Sequence, residues 1–552
     1  MALKEEIRKL ALANAYTHEG KAQQGAVIGK LISSDPSIKS KLKDLSKDIN
    51  KIISEVNKMT LQQQEAELRK TYPEFFAPRE KKEKALLELK GAVKGSVILR
   101  YAPNPNGPLH LGNARAVSLN KLYQKMYGAK FILRYDDTDP KIKKPLKEAY
   151  KWIEEDVLWL GAKITKITRA SERLDIYYKY ATKLIEQGNA YICTCLPDKW
   201  RALIAKKTPC PCRTAKDQTK RWQSMLDSNK GKGYREGEAV LRLKTDLKLP
   251  DPAMRDFPLM RIVDKPDHPY SKNHLWPLLN FAGPIDDHDL GTTHIIRGKD
   301  LDMIAHRAEF IYKYLGWKHP ETNTHGRLRI EGAELSTSQI KKGIKDKKYT
   351  GWDDPRLGTL KTLRKRGFLP EAIIKLMKDI GLKKQDITIS LENLEAENRK
   401  ILDPIANRYS FVPEPIEIKI KNMPSLDQVK IKLHPERKET RAVKITDIFY
   451  ISKEDFERYK GEEIRLKDLF NIKLEKVSEY TSKDLKKIPK INWVEPNNIK
   501  TKIIMPSSET KIGLAESAIS KLKTNEIIQF ERFGFCRLDK KGKETIFYFT
   551  HS

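Results

Sequence analysis
Residues 96–127 confine the fold more than any other stretch, because they read as a strand, a Pro/Gly loop and a helix in immediate succession. Ser96-Val97-Ile98-Leu99 is a short apolar run of the kind a buried strand shows, and within 114–127 Leu119, Leu122, Tyr123 and Met126 recur at helical spacing. Between them, at 100–116, lies RYAPNPNGPLHLGNARA. Pro103, Pro105 and Pro108 stiffen it, while Gly107 and Gly112 let its backbone approach a ligand. The helix start presents unpaired N–H groups that suit a phosphate, and His110 adds a donor. A plain connector would use the same residue types, so the reading turns on the rest of the chain.

Residues 130–135 (KFILRY) predict a second strand, ending in Asp136-Asp137-Thr138-Asp139-Pro140, and 146–160 predict a helix. That is a βαβ unit, hence a parallel sheet with ligands at the carboxyl ends of its strands. Acids at that edge suit an amino group or a magnesium ion, although Asp-Asp before Pro is also ordinary turn chemistry. A further buried strand at 293–297 ends in Arg297-Gly298-Lys299-Asp300. Arg297 is thereby aimed into the same crevice, to grip a substrate carboxylate or to join a surface ion pair. The hydroxyl-rich stretch 331–342 (EGAELSTSQIKK) reads as a mobile loop able to fold over a triphosphate.

The 107 Lys and Arg outnumber the 74 Asp and Glu, a formal net charge of +33. Basic runs recur at 79–84, 341–348, 361–366 and 483–490, which points to a long polyanion as partner, a thermophile's charged surface being the alternative. No apolar run reaches the roughly 18–20 residues that cross a membrane. MALKEEIRKL is too charged for a signal peptide, so a soluble cytoplasmic protein is expected. Cys193, Cys195, Cys210 and Cys212 form two close pairs that suit a tetrahedral structural zinc, with four buried thiols as the alternative, and Cys536 reads as core.

Residues 1–92 read as helical. Leu42, Leu45, Ile49, Ile52, Ile53 and Val56 keep a 3-4 spacing, Thr60 and Gln63 form a capping box, and Gly25 and Gly29 suggest a tight helix contact. Helices with basic faces are expected at 355–379. Short strands at 416–420, 429–433, 442–445, 527–530 and 545–549 predict one or two β-barrels. Tyr409, Phe411, Phe530 and Phe533 are either barrel core or platforms for stacked bases.

GPLHLGNAR resembles the HIGH signature of class I aminoacyl-tRNA synthetases, and RYDDTDP with IIRGKDL resembles their glutamyl/glutaminyl subgroup in its archaeal form. NAYTHEGKAQQGAVIGK, GEEIRLKDLFNIKL and FERFGFCRLD extend the likeness over nearly the whole chain. The resemblance implies a multidomain α/β protein with a helical N-terminal arm at 1–92. A Rossmann-type parallel-sheet catalytic core at 93–190 and 275–340 would be split by an acceptor-stem-binding insertion with a zinc knuckle at 191–274. A helical stem-contact subdomain at 341–402 and a β-barrel anticodon-binding region at 403–552 would follow.

The implied reaction is ATP-dependent ligation of L-glutamate to tRNA through glutamyl-adenylate, with Mg2+, by a monomer whose arm docks protein partners. By resemblance, His110, Asn113, Ser336, Thr337 and Ser338 are catalytic; Pro108, Gly112 and Lys299, with His110 and Asn113, bind ATP; Arg100, Asp136, Asn280 and Arg297 bind the amino acid; and the four paired cysteines bind zinc. An arginine at 297 favours glutamate over glutamine.

Three departures stand out. Asn113 replaces the second histidine of HIGH, and Leu279 stands where an aromatic is common. Glu334–Ser338, in the place of the KMSKS loop, lacks both lysines, leaving Lys299, Lys341 or Lys342 as candidate cations for pyrophosphate. A glutaminyl-tRNA synthetase and a tRNA-binding paralogue without catalysis are the rival readings.

Overall fold
The computed structural model describes residues 2–35, 37–38, 42–76 and 85–552, so the basic run at 79–84 lies outside the described residues. Residues 1–83 and 84–552 form two compact units. In the first, helices Ala2–Thr17, Gln24–Ser34, Leu42–Asn57 and Leu61–Thr71 close around Ile7, Ala11, Val27, Leu31, Ile49, Val56 and Leu68. Thr60 and Gln63 make the expected capping box. The tight contact expected at Gly25 and Gly29 is not formed: a Cβ at either position would meet nothing within 4 Å.

The second unit is built on a five-stranded parallel sheet. Its strands run Lys166–Arg169, Lys130–Tyr135, Ile98–Tyr101, His294–Gly298, Glu321–His325 in spatial order. Phe131, Ile132, Leu133 and Leu99 are buried because helices cover the sheet, which is why these strands read as apolar runs rather than alternations. The first strand lies between its sequence successor and the much later His294–Gly298 strand. Chain direction across the sheet reverses there, and a crevice opens at the carboxyl ends.

The excursion between Lys166–Arg169 and His294–Gly298 carries its own antiparallel meander, Ala190–Cys193, Val240–Leu243, Pro258–Ile262 and Leu275–Pro277. Beyond the core, helices Leu360–Arg366 and Pro370–Ile380 form at 355–379, but their basic residues are not a free face. Lys365 pairs with Asp353 at 2.8 Å, and Arg366 is buried, donating to the carbonyls of Phe549 and Thr550 at 3.3 and 2.7 Å. Two curled sheets of seven and six strands follow. The strand Phe411–Pro413 belongs to the first, Pro415–Lys421 opens the second, and the chain returns to the first at Ile499–Ile504. Tyr409, Phe411 and Phe530 are buried in the barrel core, and half-buried Phe533 packs against them with its ring 5.1 Å from that of Phe411.

Candidate active site
At the crevice, Arg100 and Arg297 stand at the ends of neighbouring strands as their positions in the sequence predict, and Arg134 joins them from the Lys130–Tyr135 strand. All three converge on Asp287 of helix Leu279–Asp289. Arg100 donates to both carboxylate oxygens at 3.0 and 3.3 Å, Arg134 Nη1 at 2.9 Å, and Arg297 Nη2 lies 3.9 Å away. Arg134 also holds Asp136, Nε to Oδ1 at 2.8 Å.

Burial would raise the Asp287 pKa, but the arginines outweigh it and hold the group at about 2. For Asp136 burial wins over Arg134 and its carboxyl sits above the usual range. Arg297 is brought down to about 10, first by burial and then by repulsion from Arg100, and its buried Nε has no partner. Leu279, Gly283 and Tyr312 complete the wall of the pocket.

This pocket opens into a cleft of about 2480 Å³ lined by the Pro/Gly loop and the start of helix Leu111–Tyr127. His110 is the N-cap residue, and its backbone N–H donates to Asn113 Oδ1 at 3.2 Å, so the residue replacing the second histidine of HIGH locks the helix start. Burial lowers the His110 imidazole to about 4, leaving it neutral near pH 7 with a buried Nδ1 that has no partner. The loop is stitched to later chain: Leu111 N–H donates to Gly358 O at 3.0 Å and Leu360 N–H to Leu109 O at 2.8 Å. Leu109 N–H in turn donates to the buried Asp156 at 3.2 Å.

Across the cleft, residues 337–342 of the stretch expected to be a loop are helical. Ser336 caps helix Thr337–Lys345, accepting from Gln339 N–H, and the first turn lines the cleft. Two helix N-termini therefore face one space, a field suited to a polyanion.

Residues 96–404 match the family described as tRNA synthetases class I (E and Q), catalytic domain. Residues 406–490 and 479–539 match two anti-codon binding domains of the same class. The chain belongs to the class I tRNA synthetases of the E and Q group. Curated relatives span its whole length. A glutamate–tRNA ligase of Pyrococcus abyssi is 48% identical over 98% of both chains, one of Methanocaldococcus jannaschii 43% over 98% of both, and one of Archaeoglobus fulgidus 42% over 100% of both.

In this synthetase the geometry gathers Arg100, Asp136 and Arg297 in the pocket, and Pro108, His110, Gly112, Asn113, Ser336, Thr337 and Ser338 along the cleft. Two predicted residues stand apart. Asn280 turns its amide to Pro258 O at 2.9 Å and does not line the pocket, because the face of its helix that does carries Leu279, Gly283 and Asp287. Lys299 pairs with Asp386 at 2.9 Å, off the cleft wall. Arg134 and Asp287 were not anticipated. Nor were Lys143, Arg261, His325 and Arg327, which also line the cleft.

The four paired cysteines converge in the insertion, their sulfurs all within 4.8 Å of one another. Cys193–Cys210 and Cys195–Cys212 are each 3.8 Å apart, and four thiolates about 2.3 Å from a zinc ion stand about 3.8 Å from one another. Cys536 is buried alone. No helix among the described residues is long and apolar enough to cross a membrane.

Proposed function
We propose that this synthetase ligates L-glutamate to the 3′-terminal adenosine of tRNA through glutamyl-adenylate, using ATP. The observation that carries the choice of amino acid is the charge of the pocket. Three guanidiniums, Arg100, Arg134 and Arg297, face Asp136 and Asp287 in the pocket, while Asp286, 3.7 Å from Arg134, is met by Arg173 at 2.8 Å, so one positive charge is left for a ligand bearing one net negative charge. Glutamate has that charge and glutamine is neutral. The unpartnered Arg297 Nε supplies a buried donor, and a guanidinium grips a carboxylate through charge-assisted bonds to two oxygens where an amide offers one neutral oxygen. The glutamate–tRNA ligase relatives named above agree with this reading.

In the first step a carboxylate oxygen of glutamate attacks the α-phosphorus, and the bond to the bridging oxygen of the β-phosphate breaks with its electron pair leaving on pyrophosphate. The carboxylate is already a nucleophile, so the protein contributes position and field rather than a general base. Asp136 receives the α-amino group and Arg297 the side-chain carboxylate. Neutral His110 donates to the phosphates alongside the two helix starts, Arg327 lines their path, and Mg2+ enters with ATP. In the second step a hydroxyl of the terminal adenosine attacks the acyl carbon, the bond from that carbon to the phosphate oxygen breaks, and AMP leaves with the electron pair while its phosphate takes up the hydroxyl proton.

The 190–277 excursion is assigned to the acceptor stem, and its Cys193, Cys195, Cys210 and Cys212 to a structural zinc that pins the knuckle after Ala190–Cys193. The curled sheets are assigned to the anticodon, with the helical unit of residues 1–83, rather than 1–92, as an arm for protein partners on a cytoplasmic monomer. Aminoacylation of glutamate and glutamine tRNAs with each labelled amino acid tests the proposal: glutamate charging is expected, and glutamine charging instead of glutamate overturns it.

A further inference from the structure
The loop that carries Asp136 is held by two distant parts of the chain. On one side it joins the Pro/Gly loop: Asp136 N–H donates to Pro103 O at 2.9 Å, Asn104 Nδ2 to Asp136 O at 3.0 Å, and Leu146 N–H to Pro105 O at 2.8 Å. On the other it meets the 190–277 excursion. Lys141 pairs with Glu236, Lys144 with Asp267 at 2.9 Å and Arg261 with Asp139 at 2.7 Å, while Asp267 N–H donates to Pro140 O at 3.0 Å. The three ion pairs are open to solvent in whole or in part, and each fixes little.

The tie made by His268 is of another kind. Its side chain and that of Asp137 are both 0% exposed, and Nε2 lies 2.9 Å from Asp137 O. Nδ1 of the same ring accepts the N–H groups of Tyr270 and Ser271 at 3.1 and 3.2 Å, so Nε2 carries the proton and donates to that carbonyl. The Asp137 carboxylate is already filled by Tyr150 Oη and Ser171 Oγ, each at 2.7 Å, and by Ser171 N–H at 2.8 Å. The imidazole therefore serves the main chain, one residue after Asp136, and packs against Trp276 with ring centroids 5.1 Å apart. Of the ties named here it is the one whose side chains are wholly buried, and removing its donor leaves a buried carbonyl short of a partner.

We propose that His268 is a positioning residue for the amino-acid pocket: it fixes the main chain at Asp137 so that the Asp136 carboxylate, held by Arg134 at 2.8 Å, stands where the α-amino group of glutamate arrives. The pocket is then built jointly by the parallel-sheet core and the excursion, through a histidine that belongs to no motif. The inference rests on the synthetase reading above, in which Asp136 receives that amino group.

The test is ATP–pyrophosphate exchange with tRNA present, at varied glutamate and at varied ATP, on wild type, His268→Phe, His268→Gln and Lys144→Ala. Phenylalanine keeps the bulk of the ring without a donor, and glutamine returns an amide N–H. Loss of one hydrogen bond corresponds to about a three- to tenfold rise in the KM for glutamate in His268→Phe. His268→Gln should recover most of that loss. The KM for ATP should hold, and Lys144→Ala, which removes an exposed pair, should stay within about twofold of wild type. Glutarate, which is glutamate without its amino group, separates positioning from packing: as a competitor of glutamate it should keep its inhibition constant in His268→Phe. A glutarate constant or an ATP KM that rises with the glutamate KM, or a glutamate KM that does not move, overturns this inference and leaves the synthetase reading standing. If His268→Phe does not fold, His268→Asn, a shorter polar side chain, carries the same expectations and is read the same way. A wild type that exchanges with neither glutamate nor glutamine overturns both.

Discussion

Gly112 gives His110 its room: a Cβ at 112 would stand 2.9 Å from His110 Cε1 and 3.0 Å from Nδ1. The backbone at 112 is ordinary helix, so the glycine is needed for the space above it and not for its dihedral freedom. Gly112→Ala should therefore displace the imidazole from the phosphate path while improving helix propensity by up to about 1 kcal/mol. Exchange activity is expected to fall at least tenfold with the melting temperature unchanged or raised. Full activity in this variant would remove His110 from the mechanism.

The three-arginine pocket separates binding from folding. Arg297→Gln should raise the KM for glutamate about a hundredfold, the loss of one buried charge-assisted contact, with little effect on tRNA binding. Asp287→Asn instead leaves Arg100, Arg134 and Arg297 facing one another. Removing one partner of a buried pair costs about 3–5 kcal/mol, which calorimetry would read as a large drop in melting temperature. The Asp287 pKa lies below its unfolded value, so its contribution to stability is present above roughly pH 4 and is lost as the pH falls through about 2.

Asp156 behaves in the opposite sense. Burial, only partly offset by Arg364, raises its carboxyl to about 7 from an unfolded value of 3.8. The folded protein holds that proton more tightly, so stability is full at low pH and declines as the pH climbs from about 4 towards 7. Asp156→Asn does not titrate. The stability difference between variant and wild type should grow in favour of the variant between pH 5 and pH 8 in denaturant titrations, and parallel curves would refute the buried carboxyl.

Zinc analysis of the purified chain should find one metal per molecule, and chelation or Cys212→Ser should destabilise the 190–277 excursion. The expected readout is faster proteolysis within 193–214 and weaker acceptor-stem binding, with glutamate affinity retained. Metal-free protein of undiminished stability would return the cluster to four packed thiols.

How far these features can be read from sequence depends on how local their causes are. The strand, loop and helix of 96–127 are visible because apolar runs, prolines and helical spacing are neighbour properties, and Arg100 and Arg297 because a charge at a strand end has one place to point. Arg134 and Asp287 are 153 residues apart, and only their folding together makes them a pair. The one clue was a charge inside the apolar run KFILRY, which must be compensated if the strand is buried. Ser336 accepting from Gln339 N–H marks a helix start that the sequence reading of 331–342 as a loop passed over. Asn280 stands apart because one residue step, about 100° around the helix, turns it from the face of Leu279 and Gly283 towards Pro258.

The path of the chain through its two curled sheets bears on how the protein is made. The six-stranded sheet draws only on residues 415–491, whereas the seven-stranded one needs Arg408–Tyr409 and Phe411–Pro413 together with strands from 499 to 551. During synthesis the inner sheet can therefore close while the outer one waits, its early strands unpaired, for strand Thr545–His551 to arrive between Ile499–Ile504 and Gly534–Lys540. Arg366 stays exposed until the Phe549 and Thr550 carbonyls exist to receive it. The catalytic half is thus translated long before the outer sheet can be finished, and a nascent chain that has emerged past Ile491 but not yet to Thr545–His551 carries a sheet-complete inner module beside open edges that invite a chaperone.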